Sequence, residues 1–147
     1  MKLKIIFPKR ENDWFSKAVG KLAMPVAPTY LAALTPQDVN ITIADMMAGD
    51  TIDYDDSVDL IGITVRTPAA VQAYKIADEY RSRKAAVVLG GPHVSVLPLE
   101  AKRHADAIVI GEAEEIWKKL LQDFHAGTLK DFYVGGPFET VNLPGET

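Results

Sequence analysis

The chain has 147 residues, the length of one ordinary domain, which buries roughly two-thirds of its unfolded surface on folding. Sixteen Lys and Arg stand against twenty Asp and Glu, giving a net charge of −4 with no basic run, so nucleic acid is an unfavoured partner. There is no cysteine, which excludes disulfides, thiolate chemistry, cysteine-held zinc and iron–sulfur clusters from this chain.

The opening Met1-Lys2-Leu3-Lys4-Ile5-Ile6-Phe7-Pro8 is too short an apolar run for a signal peptide. Nothing in the sequence reaches the ~20 consecutive apolar residues of a membrane span, so a soluble, cytoplasmic protein is expected. Residues 3–7 form the first of five short apolar runs rich in branched side chains; the others are 39–44, 60–65, 86–89 and 107–110. Their continuous apolar character predicts strands covered on both faces.

Helical periods fill the gaps. A short helix is predicted at 30–34, crowded by Pro25, Pro28 and Pro36. Residues 68–83 predict an amphipathic helix with Val71, Tyr74, Ala77 and Tyr80 or Arg81 turned inward, Pro68 in the first turn and Thr67 placed to cap it. A shorter helix at 97–104 is entered through Pro98. A strong one at 112–124 buries Ile116, Trp117, Leu120, Leu121 and Phe124, with Glu114–Lys118 and Glu115–Lys119 as exposed pairs and Gly127 as the stop. After Tyr133 the pattern dissolves, so residues 1–133 read as the domain and 134–147 as a C-terminal tail or truncated linker.

Alternating strands and helices predict an α/β fold: a doubly wound, five-stranded parallel sheet in the flavodoxin-like order 2-1-3-4-5. In that order the switch point lies between strands 1 and 3, and the loops at 8–13, 64–68 and 90–95 line the crevice. Gly90-Gly91 lets backbone approach a bulky ligand and Pro92 fixes the path away from the strand, although a Gly-Gly pair also serves as a plain tight turn. Thr64, Arg66 and Thr67 put two hydroxyls and a cation at the neighbouring strand end, while Thr67 alone is explained as a helix cap. Glu112 and Glu114 fall in the predicted first turn of a helix, where the macrodipole favours them without any ligand. His93, His104 and His125 are not at metal-ligand spacing, and no catalytic or metal-ligating residue is assigned.

Other owners of this fold are disfavoured by their loops. A phosphoacceptor domain needs an aspartate after strand 3 and acidic neighbours after strand 1; here stand Thr64-Val65-Arg66 and Pro8-Lys9-Arg10. A flavodoxin phosphate loop and a G-x-G-x-x-G dinucleotide fingerprint are both missing from the sequence.

Several segments, however, carry a resemblance: Ile61-Gly62-Ile63-Thr64-Val65-Arg66-Thr67-Pro68, Ala73-Tyr74-Lys75-Ile76-Ala77, Val88-Leu89-Gly90-Gly91-Pro92-His93-Val94, Leu97-Pro98-Leu99-Glu100-Ala101, and Ala105 to Glu114 with its Gly111-Glu112-Ala113-Glu114, then Trp117. They resemble the N-terminal cobalamin-binding domain of cobalamin-dependent radical S-adenosylmethionine enzymes, which include anaerobic magnesium-protoporphyrin IX monomethyl ester cyclases, hopanoid-modifying enzymes and methyltransferases. The likeness covers nearly the whole chain. It implies a Rossmann-like cobalamin-binding fold with the cofactor across the carboxyl ends of the strands and its nucleotide tail along the sheet. The cofactor-binding positions it implies are Thr64, Val65, Arg66, Thr67, Gly90, Gly91, Pro92, His93, Gly111 and Glu112, with Val65 and Arg66 nearest the lower corrin face.

In that family the iron–sulfur cluster and S-adenosylmethionine belong to a radical domain, which here has to be separate or missing and acts in cis or in trans. The resemblance also carries a departure. Methionine synthase and the mutases have Asp-x-His-x-x-Gly after strand 1, whereas this sequence has no histidine before His93. The implied function is a binding module that holds cobalamin base-off without a protein histidine, inactive alone; the alternative is a cofactor-free docking domain of the same fold. Replacing Gly91 by Leu is expected to abolish cobalamin binding with little change in melting temperature.

Overall fold

The computed structural model describes residues 1–11 and 26–136. Residues 12 and 13 of the first predicted loop, and the tail beyond 136, lie outside the described residues.

Among the described residues six parallel strands form one sheet: β1 Lys2–Phe7, β2 Asn40–Asp45, β3 Leu60–Thr64, β4 Ala86–Gly90, β5 Ala107–Gly111 and β6 Phe132–Gly135. Their order is β2-β1-β3-β4-β5-β6. The first five strands take the expected 2-1-3-4-5 order, but the expected count of five is corrected to six. The last strand is only four residues long, and its three apolar residues are hemmed by Asp131 and by Gly135-Gly136. Its strand character comes from pairing with β5, a non-local cause that a local apolar pattern does not display.

Strand alternation splits the apolar side chains into two cores. Ile6, Ile61, Ile63, Val87, Leu89, Ile108 and Ile110 face one way. Leu3, Ile5, Leu60, Val88, Ala107 and Val109 face the other. The first core is covered by α2 Ala70–Ser82, α3 Pro92–Val96 and α4 Pro98–Lys102. The second is covered by α1 Val26–Leu34 and α5 Trp117–His125.

Four local expectations change. A 3-10 turn, Thr67–Ala69, precedes α2 and sets its rotation, so Ala70, Ala73, Ile76, Ala77 and Tyr80 point inward while Val71 is 66% exposed. Thr67 does not cap that helix with its side chain. The predicted 90–95 loop is the end of β4, a turn at Gly91 and the helix α3. The predicted helix at 112–124 begins at Trp117, which leaves Glu112 and Glu114 in the β5–α5 connection, and Lys119 bonds Asp123 at 2.6 Å. Gly127 ends the helix as expected, at φ +72° with its N–H donating to the Phe124 carbonyl. No helix among the described residues is long and apolar enough to cross a membrane.

Candidate functional site

At the carboxyl ends of β3, β4 and β5, on the α1/α5 side of the sheet, lies a cavity of about 200 Å³. Its position follows from side-chain size. Ile5, Gly62 and Val88 are register partners across β1, β3 and β4, so the rung carries a gap at Gly62 between two branched side chains. One rung further on, Thr64 pairs with Gly90. Gly111, at the end of β5, completes a strip of missing side chains down the face. Leu31 of α1 and Trp117 of α5 close it from the side. The lining is mostly apolar, with Thr64, Glu112 and Glu114 as its polar side chains.

The mouth is braced by backbone bonds. Val65 N–H donates to the Gly90 carbonyl at 2.7 Å, and His93 N–H donates to the Val65 carbonyl at 3.1 Å, so two strand ends are locked together. Gly91 sits inside this lock at φ +103°, where a Cβ would stand 2.8 Å from both Val65 N and Val65 O. Only glycine fits there, and the side chain that would clash points at backbone, not into the cavity. Ser95, which the sequence reading passed over, ties the two glycine loops: its hydroxyl donates to the Gly91 carbonyl at 3.2 Å and accepts from Gly111 N–H at 2.9 Å.

Of the ten positions singled out in the sequence, Thr64, Gly90, Gly91, Gly111 and Glu112 line this cavity. The other five do not. Val65 is fully buried in the core on the opposite side of the sheet. Arg66 lies over the end of the sheet, its guanidinium carbon 4.8 Å from the Phe7 ring centroid and Nη2 3.4 Å from Met47 Sδ. Thr67 and His93 belong to a separate polar cluster. There His93 Nδ1 is 3.2 Å from Thr67 Oγ1, His93 Nε2 is 3.1 Å from Glu100 Oε1, and the Tyr74 hydroxyl donates to the same carboxylate oxygen at 2.9 Å. Those bonds from His93 and Tyr74 hold the Glu100 carboxyl below its ordinary range. Burial, then the Glu100 hydrogen bond, pushes the Tyr74 phenol up. Pro92 is exposed at the start of α3.

The sequence reading missed Gly62, Ile5, Val88, Leu31 and Trp117 as a lining. Gly62 carried a signal, being a lone glycine inside an otherwise apolar strand. No group of three or more His, Asp or Glu placed to hold a metal ion occurs among the described residues.

Comparison with known proteins gives a consistent picture. The B12 binding domain family matches residues 17–121. The bacteriochlorophyllide d C-8(2)-methyltransferase of Chlorobaculum tepidum is 47% identical over 131 residues, 89% of this chain and 28% of that protein. The bacteriochlorophyllide d C-12(1)-methyltransferase of the same organism is 32% identical over 144 residues, 95% of this chain and 31% of that protein. An uncharacterized methyltransferase of Pyrococcus horikoshii is 30% identical over 139 residues, 86% of this chain and 30% of that protein. The chain thus spans less than a third of the length of these relatives.

Proposed function

Because the chain belongs to the B12-binding domain family, we propose that it is the cobalamin-holding module of a radical S-adenosylmethionine methyltransferase acting on a chlorin-type tetrapyrrole in the cytoplasm. The observation that carries this reading is the glycine-lined cavity at the carboxyl ends of β3, β4 and β5. At about 200 Å³ it is smaller than the ~300–1,000 Å³ of sites that swallow a whole drug-sized ligand. It suits one appendage of a large ligand, the nucleotide tail, and the flat remainder would then rest on the strand ends.

The residues divide the work. Gly62, Gly90 and Gly111 leave room for the tail, Thr64 offers it a hydroxyl, and Glu112 and Glu114 stand at the rim. Arg66, stacked on Phe7, is the side chain placed at the end of the sheet nearest β1 and β2, where a lower corrin face would rest. No histidine lines the cavity, and His93 is occupied by Thr67 and Glu100, which supports binding without a protein imidazole; a tail housed in the cavity would keep its own base away from the metal. Cobalamin in such a site supplies a cobalt centre able to accept and deliver a methyl group.

The tetrapyrrole substrate class comes from the names of the two Chlorobaculum relatives, and the methyltransferase reading is preferred to the cyclase one for the same reason. The radical domain is assigned to the part of such proteins that this chain does not span. Titration of the chain with hydroxocobalamin, followed by visible absorption, tests the cofactor. Saturable binding with the absorption of the base-off form is expected; no binding at concentrations on the order of tens of micromolar overturns the reading.

A further inference from the structure

Ile5, Gly62 and Val88 lie one rung inside the strand-end pair Thr64 and Gly90 and, with Trp117, line the inner end of the cavity. The indole lies over the gap at Gly62, with Cη2 3.7 Å from the place a Gly62 Cβ would take. That ring is held in place from outside. Its Nε1–H donates to Thr35 Oγ1 at 3.0 Å, and the Thr35 hydroxyl donates onward to the Leu31 carbonyl at 2.7 Å. The one hydrogen-bond donor that the inner end owns is therefore spent away from the cavity, and what remains facing inward is carbon.

We infer that this closed, donor-free end makes the module select corrinoids by their lower base, accepting an apolar bicyclic base such as dimethylbenzimidazole and rejecting a purine such as adenine. Trp117, fixed by Thr35, is the specificity-determining residue. The inference rests on the cobalamin reading above. Its physical ground is desolvation: the exocyclic amine and ring nitrogens of adenine lose water on entry and find no partner at the inner end, since the polar side chains of the lining, Thr64, Glu112 and Glu114, stand further toward the strand ends, and one unpaired group of this kind lowers affinity about tenfold.

Three probes test it on the same chain: hydroxocobalamin, its analogue with adenine in place of dimethylbenzimidazole, and cobinamide, which has no nucleotide. Affinities are read from visible spectra and tryptophan fluorescence. Cobalamin is expected to bind about tenfold or more tightly than the adenine analogue. In Gly62→Ala the new methyl meets Trp117 and Ile5 at the ordinary contact distances of 3.7 and 3.9 Å, so the domain folds while the gap is filled. Cobalamin affinity then falls about tenfold and cobinamide affinity does not change. Thr35→Val removes, at nearly constant volume, the acceptor that fixes the indole, so the ring no longer holds one position and the preference for cobalamin over the adenine analogue is expected to shrink to about threefold or less; an unchanged preference overturns the role given to Trp117 and Thr35.

Equal binding of all three probes by the unaltered chain overturns the selection while leaving the cobalamin reading intact. So does a Gly62→Ala chain that loses cobalamin and cobinamide alike. Failure to bind any of the three is a different result, and it overturns the cobalamin reading and this inference together.

Discussion

Gly62 and Gly91 lie close to the same cavity and do opposite things. A methyl at Gly62 enters open space at contact distances of 3.7 Å and more, whereas a methyl at Gly91 strikes the Val65 backbone at 2.8 Å from a residue already at φ +103° and ψ 178°. Backbone of that kind admits glycine almost alone. Gly91→Ala is therefore expected to destabilise the domain by about 3 kcal/mol, combining backbone strain with displacement of the Val65 lock, as measured by urea denaturation. This runs against the sequence-based expectation of little change in melting temperature for Gly91→Leu: a marked loss of stability is expected beside the loss of binding. A Gly91→Ala chain that melts within about 1 °C of the original would show that the turn tolerates a side chain.

At the scale of elements, α5 and β6 are joined by one buried carboxylate. Asp123, 5% exposed, accepts from Lys119 Nζ at 2.6 Å and from the Tyr133 hydroxyl at 2.8 Å, and the Tyr133 oxygen accepts from Lys130 N–H at 3.0 Å. The Lys119 bond first, and the Tyr133 bond second, hold the Asp123 carboxyl below its ordinary value of 3.8. A depressed folded-state value means the tether contributes fully above the unfolded carboxylate range and is lost as pH falls through the folded value. Stability measured from pH 6 down through the carboxylate range is expected to fall, and Asp123→Asn to be less stable at neutrality with a flatter acid limb. An unchanged acid slope in Asp123→Asn would remove this group from the acid response. None of this tether was legible in the sequence, because β6 holds only three apolar residues and its strand character depends on its neighbour β5. By contrast β1, β3, β4 and β5 were readable, since strands buried on both faces are written as unbroken branched apolar runs. The site divides the same way. Gly90, Gly91 and Gly111 stand out at strand ends, while the partnership of Thr35 with Trp117 spans 82 positions and no local pattern reports it.

For the molecule as a whole, the sixth strand connects stability to the cavity. Gly135 packs so closely on the Glu112 carbonyl that a Cβ there would collide with it, and Gly136 lies beside the Glu112 side chain, so the end of β6 supports the loop that forms the cavity rim. β6 also covers the edge of β5 through four register pairs, Ile108 with Phe132 to Gly111 with Gly135, and Asp131 accepts from Ile108 N–H at 2.9 Å. A chain ending at Lys130 uncovers that edge, leaves the Glu112 loop unsupported and removes the Tyr133 partner of Asp123. Two consequences are expected together: faster amide hydrogen exchange through Ile108–Gly111, from loss of edge pairing, and weaker corrinoid binding, from the loosened rim. They separate the possible roles of the strand. Fast exchange with intact corrinoid affinity would make β6 an edge cover alone, whereas slow exchange and intact affinity would mean that the five-stranded sheet read from the sequence is already the complete cooperative unit.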